Sequence, residues 1–388
     1  MAKPAINPTV FRLASAHFIS DAYSNLLTPL LPALIPRLNL TLAAAGTLVM
    51  VFQIAASVSQ LGFGHLADRW RPRLLILAGP FLSVAVLSLI GTATTPAVLA
   101  LFLVIGGLGG AAFHPTAAAV VHRLGGARRG LAMAVHITGG SVGYALAPFL
   151  FAPFVDRFGL GWTPLLALPG LIALGLVLRG MPRIEALGRT DGGSLRALRP
   201  YARPLFLLYV IVVLRTLTSL SFATFVPVLL TGRGWSMTMA GAAVSVYLVA
   251  ASIGGFAGGP LADRFGPKRV IAVSLLMSVP FMAAATQLQG WGFVLTMAIG
   301  GFFLQSTLPV NITFAHQIAP VSAATVSSLM MGFAWGTGGL SVPLVGALAD
   351  RVGIGPALTV MACLPLLGAL CVLPLPRGSD AAPGMGRA

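Results

Sequence analysis

GHLADRW at residues 64–70 and GPLADRF at residues 259–265 are two copies of one segment, and their repetition decides the fold. Upstream, FQIAAS at 52–57 corresponds to YLVAAS at 247–252, at the same offset of 195 residues. VDRFG at 155–159 returns as ADRVG at 349–353 with a slip of one residue. The chain is therefore a duplicated unit, and two halves of similar structure are predicted.

The composition indicates which solvent surrounds this repeat. Of 388 residues, 57% are hydrophobic and 8% are charged, against about 25% charged in a typical soluble domain. So few charges cannot cover a globule of this length, and the chain is predicted to lie in lipid. In a soluble protein the net charge of +16 would suggest nucleic acid, but in a membrane protein basic residues mark cytoplasmic loops. The composition excludes a soluble enzyme and a nucleic-acid-binding protein.

Apolar stretches long enough to span a bilayer follow one another along the whole chain. A spanning helix needs about 20 mostly apolar residues. Clusters of Gly, Pro and Arg divide the sequence into six such stretches on each side of a polar linker. We predict an all-α membrane protein with spans at about 10–36, 43–66, 73–92, 96–121, 130–155, 162–180, 203–230, 238–262, 269–288, 291–317, 322–348 and 356–375.

The linker and the positions of the basic residues predict the topology. We expect an N-terminal half over 1–181, a basic cytoplasmic linker over 182–203, a C-terminal half over 204–376 and a disordered tail over 377–388. With the N-terminus in the cytoplasm, the outer side receives only Arg37, Arg157, Arg233 and Arg351. This asymmetry obeys the positive-inside rule. Both termini are therefore predicted to lie in the cytoplasm, and the chain in a bacterial cytoplasmic (inner) membrane.

The duplicated segment carries a pattern of glycine, aspartate and basic residues between the second and third predicted helices of each half. It resembles the signature loop of the major facilitator superfamily, and the resemblance covers the whole chain. This resemblance implies twelve helices in two pseudo-symmetric six-helix halves, working as a monomer. It also implies a conformational-gating role in latching the two halves for Gly64, Asp68, Arg69 and Arg73 and for Gly259, Asp263, Arg264 and Arg269.

A narrower similarity lies in the first and fourth predicted helices. His17, Phe18 and Asp21, together with the run Phe113, His114 and Pro115, resemble the fosmidomycin-resistance branch of drug efflux proteins. This similarity implies export of a drug-like compound and antibiotic resistance. The fifth helix also keeps part of a glycine pattern associated with antiporters, at Gly130, Gly139 and Gly143.

Two charged residues lie deep in predicted spans, Asp21 in the first helix and Arg215 in the seventh. A charge inside a bilayer costs several kcal/mol unless it faces water or a partner, so such residues are functional by default. Under the repeat Asp21 corresponds to position 216, so the two charges occupy nearly equivalent places. In one interpretation Asp21 exchanges a proton and Arg215 attracts an anionic substrate. In the other, the two form a permanent ion pair that only joins helices.

Polar residues at helical spacing complete the predicted site. His17, Asp21 and Asn25 recur at every fourth position, so they share one face of the first helix, which we expect to line the cavity. His114 either exchanges a proton or bonds a carbonyl freed by Pro115. His136 is left outside the predicted site. The predicted proton-coupling residues are Asp21 and His114, and the predicted substrate-binding residues are His17, Asn25, Arg215, Tyr247, Gln305, Asn311 and Trp335.

These observations predict a secondary active transporter rather than an enzyme. The sequence has no phosphate-binding loop for ATP and no nucleophile with a matching base, and no cofactor or metal is expected. We predict proton-coupled efflux, by antiport, of a small amphipathic or anionic drug-like compound through alternating access. A proton-coupled importer of a small nutrient and a transporter-like membrane sensor are the alternatives. The expected partners are the lipid bilayer, a small-molecule substrate and protons, without nucleic acid.

Overall fold

The computed structural model describes residues 7–69, 72–182, 184, 195–320, 326, 329–330 and 334–376. Over these residues every regular element is helical and no strand occurs, so the predicted all-α architecture is confirmed. The tail over 377–388 and the linker residues 183 and 185–194 lie outside the described residues.

The described part of the chain contains fifteen α-helices, numbered here in chain order. The first eight are α1 (Pro8–Ser24), α2 (Leu27–Arg37), α3 (Leu42–Ser57), α4 (Ser59–Arg69), α5 (Pro72–Leu87), α6 (Pro96–Leu124), α7 (Arg129–Phe158) and α8 (Ala167–Leu178). The others are α9 (Ala202–Gly232), α10 (Met237–Phe265), α11 (Pro267–Gln287), α12 (Gly290–Ile318), α13 (Ala334–Leu340), α14 (Val342–Val352) and α15 (Ile354–Val372).

Ten helical stretches among the described residues are long and apolar enough to cross a membrane. The first predicted span is divided between α1 and α2, which are separated at Asn25 and Leu26. Pro29 has no amide hydrogen to bond the carbonyl of Asn25 four residues earlier, so the helix is interrupted there. The eleventh predicted span corresponds in its described part to α13 and α14.

The chain folds into two compact units. The first comprises Met1–Leu40, Thr47–Thr190 and Leu230–Ser245, and the second comprises Thr41–Gly46, Asp191–Leu229 and Val246–Ala388. Each unit contains most of one predicted half, but two helix ends are exchanged. The beginning of α3 belongs to the second unit, and the beginning of α10 belongs to the first.

In the first unit α1 lies at the centre and packs against α5, α6, α7 and α8. Its tightest approach is to α7. A Cβ atom added at Gly139 or Gly143 would collide with the backbone carbonyl oxygen of Ala14 or Phe18, respectively. Small residues allow this backbone-to-backbone packing, which replaces the missing hydrophobic driving force inside a membrane.

The second unit also packs helices backbone to backbone at glycines, but on different helices. A Cβ atom at Gly254 or Gly258 of α10 would collide with the carbonyl oxygen of Phe302 or Ser306 on α12. In the same unit α11 packs against both α12 and α15. Glycine faces therefore set the closest helix pairs in both units.

The two exchanged helix ends are each held by an aspartate from the repeated D-R-x-G segment. In the first unit, Asp156 Oδ2 at the end of α7 accepts hydrogen bonds from Thr238 N at 3.1 Å and Thr238 Oγ1 at 2.6 Å. In the second unit, the two carboxylate oxygens of Asp350 accept from Leu42 N at 2.8 Å and Ala43 N at 2.9 Å. Each carboxylate satisfies amides that the first turn of a helix leaves unpaired, at the positive end of the helix dipole.

Both copies of the signature segment lie where one helix ends and the next begins. In the second copy, the guanidinium carbon of Arg264 lies 5.1 Å from the centre of the Phe265 ring, an attractive cation–π distance. The side chains of Asp68 and Arg69 lie outside the described residues. A gating role for the eight residues of the two copies stays a prediction.

Because the two aspartates use their oxygens differently, asparagine should affect them differently. Asp156→Asn retains one oxygen that accepts both bonds, whereas Asp350→Asn replaces one of two accepting oxygens with an NH₂ group facing an amide hydrogen. We expect Asp350→Asn to lower the melting temperature in detergent more than Asp156→Asn. Asp156→Ala and Asp350→Ala should each lower the free energy of unfolding by about 1 kcal/mol, the usual loss for an N-terminal helix cap. Equal losses for the two asparagine variants would contradict this account of the caps.

Candidate functional site

Three histidines and one aspartate cluster in the first unit, where α1, α6 and α7 meet. His17 Nε2 lies 3.2 Å from Asp21 Oδ2, one helical turn away on α1. His114 Nε2, on α6, lies 3.4 Å from Asp21 Oδ1. The ring centre of His136, on α7, lies 4.3 Å from that of His17. The structure thus brings together both predicted proton-coupling residues, Asp21 and His114, with the predicted substrate residue His17.

The cluster is mostly buried. The side chains of His17, Asp21 and His114 are 12%, 19% and 23% exposed. Phe113 is fully buried, and its ring meets the ring of His17 edge-on at 5.8 Å. In such a site charged groups interact more strongly than in water.

A hydrogen bond on the far side of the His17 ring assigns its tautomer. His17 Nδ1 lies 2.9 Å from the backbone carbonyl oxygen of His136. A carbonyl oxygen only accepts, so Nδ1 carries a hydrogen. In neutral His17, Nε2 is then a bare acceptor that faces a carboxylate oxygen of Asp21. The two side chains form a hydrogen bond only when a proton lies between them, so together they form a carrier for one proton.

Asn25, one turn further along α1, also bonds the backbone of α7. It is 2% exposed, and its Nδ2 donates to the carbonyl oxygen of Tyr144 over 2.9 Å. Pro148 follows Tyr144 by four residues and has no amide hydrogen, so it cannot make the usual helical bond to that carbonyl. Asn25 supplies the donor. The predicted polar face of α1 therefore points at α7, and a substrate contact at Asn25 stays a prediction.

The donor atoms of His17, Asp21 and His114 all lie within 4.8 Å of one another. Two histidines and one carboxylate are also a composition that divalent transition metals accept. The separations of 3.2 and 3.4 Å suit a shared proton, and they equally suit two ligands of one ion about 2 Å from each donor atom. We interpret the cluster as a proton-sharing group, because this needs only groups that the chain itself supplies.

A second polar cluster surrounds Arg215 of α9, in the second unit. Arg215 is fully buried, and its guanidinium donates to Gln305 Oε1 on α12 and, over 2.9 Å, to Thr216 Oγ1. Both acceptors are neutral side-chain oxygens. The structure thus joins two predicted substrate-binding residues, Arg215 and Gln305.

The other predicted substrate residues of the second unit are distributed around this cluster. Tyr247 is buried, and its hydroxyl lies 3.2 Å from the hydroxyl of Ser219, one turn along α9 from Arg215. Asn311 is fully buried on α12, and neither atom of its side-chain amide has a hydrogen-bond partner among the described residues. The backbone of Trp335 lies in α13, but its side chain is outside the described residues.

Sequence reasoning missed two members of the first cluster, His136 and Gly140. A Cβ atom at Gly140 would collide with His17 Nε2 and would lie 2.7 Å from Asp21 Oδ2. The signal that could have found them is a matching period. His136, Gly140 and Tyr144 recur at every fourth position of α7, the same period that His17, Asp21 and Asn25 have on α1.

Comparison with known proteins defines the class. The family model of the Major Facilitator Superfamily matches residues 13–216 and 207–388. The chain therefore belongs to the major facilitator superfamily of membrane transporters, which confirms the resemblance drawn from the signature loops. It is a multi-pass membrane transporter and not an enzyme.

Individual relatives cover almost the whole chain. It is 30% identical to the fosmidomycin resistance protein of Escherichia coli, over 95% of this chain and 93% of that protein. It is 29% identical to an uncharacterized MFS-type transporter of Bacillus subtilis, YfnC, with the same coverage of each chain. A probable nitrate/nitrite transporter of Mycobacterium tuberculosis, NarK2, is 27% identical over 84% of this chain and 85% of its own.

Solved structures confirm the fold with two halves. A bacterial homolog of the human lysosomal transporter Spinster superimposes with a TM-score of 0.81 at 17% identity, over 96% of this chain and 97% of that one. The nucleoside transporter NupG gives a TM-score of 0.76 at 15% identity, over 95% of this chain and 98% of its own.

The bond between Asn25 and the carbonyl of Tyr144 makes a testable pair of variants. Asn25→Ala removes the donor and should destabilise the protein by about 1–3 kcal/mol, the usual result of leaving a buried polar group unsatisfied. Pro148→Ala in the same chain restores an amide hydrogen four residues after Tyr144 and should recover part of the loss. Melting curves of the two single variants and the double variant check this. Strictly additive losses would show that Asn25 and Pro148 do not share this carbonyl.

Proposed function

We propose that the protein is a proton-coupled exporter that exchanges protons for a small amphipathic or anionic drug-like compound by alternating access. The observation that carries this proposal is the cluster of His17, Asp21 and His114 in the centre of the first unit. We further propose that the chain works as a monomer in a bacterial cytoplasmic membrane, with both termini in the cytoplasm.

The proton-carrying part of the proposal rests on the groups that face Asp21. Among the described residues these are His17 on its own helix, His114 on α6 and His136 on α7. When a proton lies between His17 and Asp21, the pair is neutral overall. When the proton leaves, the pair carries one negative charge in a site with little water, so loading and unloading change its charge by one unit.

His114 is suited to carry that proton to and from water. Of the three clustered side chains it is the most exposed, at 23%. It faces Asp21 Oδ1, which is buried and accepts no hydrogen bond. A proton arriving on His114 Nε2 therefore has an acceptor 3.4 Å away. In this scheme Asp21 and His114 couple transport to protons, as the sequence predicts, and His17 shares the proton with Asp21.

The substrate part of the proposal rests on the buried cation of the second unit. The guanidinium of Arg215 is fully buried and donates to Gln305 and Thr216, and an anionic group accepts charge-assisted hydrogen bonds from such a side chain. The likeness to the fosmidomycin resistance protein supports a drug-like cargo. In the second unit we assign substrate contacts to Arg215, Tyr247, Gln305, Asn311 and Trp335, and in the first unit to His17 and Asn25.

Proton movement in proteoliposomes tests the proposal directly. A pH dye is enclosed inside, and a panel of compounds that includes fosmidomycin and nitrate is added outside. Antiport predicts internal alkalinisation, because protons leave as the compound enters. Internal acidification would mean symport and would replace the exporter with a proton-coupled importer. Uptake of radiolabelled fosmidomycin or nitrate without any change in internal pH would refute proton coupling.

Asp21→Asn should abolish pH-dependent transport, since asparagine retains the size of the side chain but cannot carry the proton. Exchange of labelled for unlabelled substrate at equal pH on both sides should survive, because it needs no net proton movement. Asp156→Asn, a carboxylate at a helix end outside the cluster, is the matched control and should retain coupling. An Asp21→Asn variant with normal proton coupling would remove the cluster from the mechanism.

Arg215→Ala should reduce transport of anionic compounds more than that of neutral ones. The expected difference is roughly tenfold or more, since a hydrogen bond to a charged group contributes about 1.5–3 kcal/mol. Arg37→Ala, which removes an exposed arginine, is the control. Initial rates for an anionic and a neutral member of the panel check this. Equal losses for both would assign Arg215 to structure rather than to substrate binding.

A further inference from the structure

The polar face of α1 is held by backbone carbonyl groups of α7. His17 Nδ1 bonds the carbonyl oxygen of His136, and Asn25 Nδ2 bonds that of Tyr144. Between these two bonds, Asp21 faces Gly140. A carbonyl in the middle of a helix is normally engaged with the amide four residues later, and a side chain at that position lies beside it. Both bonds to α1 therefore need an explanation in the sequence of α7.

For Tyr144 the explanation is Pro148, and for His136 it is Gly140. Gly140 is four residues after His136, so its backbone N–H donates the helical hydrogen bond to the His136 carbonyl. Because glycine has no side chain, none lies beside that carbonyl. A carbonyl oxygen has two lone pairs, so it accepts from His17 as well as from its own helix. Any Cβ at position 140 would collide with His17 Nε2 and would lie 2.7 Å from Asp21 Oδ2.

We infer that Gly140 is a positioning residue of the proton-coupling site: its missing side chain exposes the His136 carbonyl, which holds His17 in the tautomer that turns Nε2 toward Asp21. This inference rests on the proposed proton-coupled function for its biological meaning, but its geometry is independent of that function. The effect is to set where the pair takes up a proton. With Nδ1 donating to the carbonyl, an added proton goes between Nε2 and Oδ2.

The opposite tautomer would give a different site. With the hydrogen on Nε2, neutral His17 would donate to ionised Asp21, and the hydrogen bond would persist without any added proton. The pair would then gain no hydrogen bond between its two side chains by taking up a proton, and would lose none by releasing one. The bond of Nδ1 to His136 excludes this state, and Gly140 makes that bond possible.

The bond to His17 is made by the backbone of His136 and not by its imidazole ring. His136 is 2% exposed, and its Nδ1 atom has no hydrogen-bond partner. The bond to His17 uses the backbone of residue 136, so His136→Phe retains both the carbonyl and a flat ring beside His17. Gly140→Ala, by contrast, leaves the carbonyl in place but puts a Cβ atom into the space of the His17 ring that bonds it.

The tautomer itself is measurable in the unmodified protein. In ¹⁵N-histidine-labelled protein in lipid nanodiscs, the signals of His17 are identified among six histidines by their loss in His17→Asn. At the alkaline end of the titration we expect a protonated Nδ1 and a bare Nε2. A neutral ring with the hydrogen on Nε2 would overturn the inference, and it would do so whether or not the protein moves protons.

The matched variants are Gly140→Ala on α7 and Gly175→Ala on α8. A Cβ at Gly175 meets no atom within 4 Å, so this variant should transport normally. Gly140→Ala should reduce proton-driven transport by roughly tenfold or more, as expected when a reacting group is displaced by about an ångström. Its His17 signals should also lose the protonated-Nδ1 pattern. Unchanged signals in a folded Gly140→Ala protein would overturn the inference.

Two histidine substitutions separate positioning from general structure. His17→Asn places an amide donor where Nδ1 stands, and His17→Gln places an amide near Nε2. We expect His17→Asn to retain the melting temperature better, because it retains the bond to the His136 carbonyl, although both variants lose the shared proton. His136→Phe should keep the protonated-Nδ1 signals of His17, because it retains the backbone carbonyl that bonds Nδ1. A His17 ring without a hydrogen on Nδ1 in folded His136→Phe would assign the effect to the His136 ring and overturn the role of the carbonyl.

Discussion

The approach of α7 to α1 places His17, Asp21 and His136 of the first cluster. Gly139 and Gly143 bring the two backbones into contact, and Gly140 between them leaves room for the side chains of His17 and Asp21. In lipid a polar side chain must find its partner within the protein, because no water replaces a missing bond. The partners of α1 are carbonyl groups of α7 that its own sequence leaves accessible. Helix packing and the chemistry of the site therefore depend on the same few glycines.

Both units pack helices closely through glycines, but on helix pairs that do not correspond in the repeat. In the second unit Gly254 and Gly258 bring α10 against α12. At nearly equivalent places in the repeat, one unit carries a carboxylate beside histidines and the other a guanidinium bonded to Gln305 and Thr216. The aspartates that hold the two exchanged helix ends were retained in both copies. The repeat thus preserved what the scaffold needs, while the buried charges of the two copies diverged.

Much of this structure could be predicted from sequence because its causes are local. Hydropathy locates the spans, and a period of four residues places His17, Asp21 and Asn25 on one face of α1. The partner of that face could not be predicted, because periodicity within one helix says nothing about its register against another. The sequence therefore predicts neither His136 nor Gly140 as part of the site. The interruption of the first span at Asn25 is also explained by a local cause, Pro29, but one proline is a weaker signal than a long, mostly apolar stretch.

The two deep charges have different polar neighbours within their own units. Asp21 contacts His17 and His114 in the first unit, and Arg215 bonds Gln305 and Thr216 in the second. A carboxylate with proton-carrying neighbours can change its charge, whereas a guanidinium stays protonated throughout the physiological range. The chemistry of the two sites therefore favours a division of labour, in which the first unit carries the proton and the second holds the anionic group of the cargo.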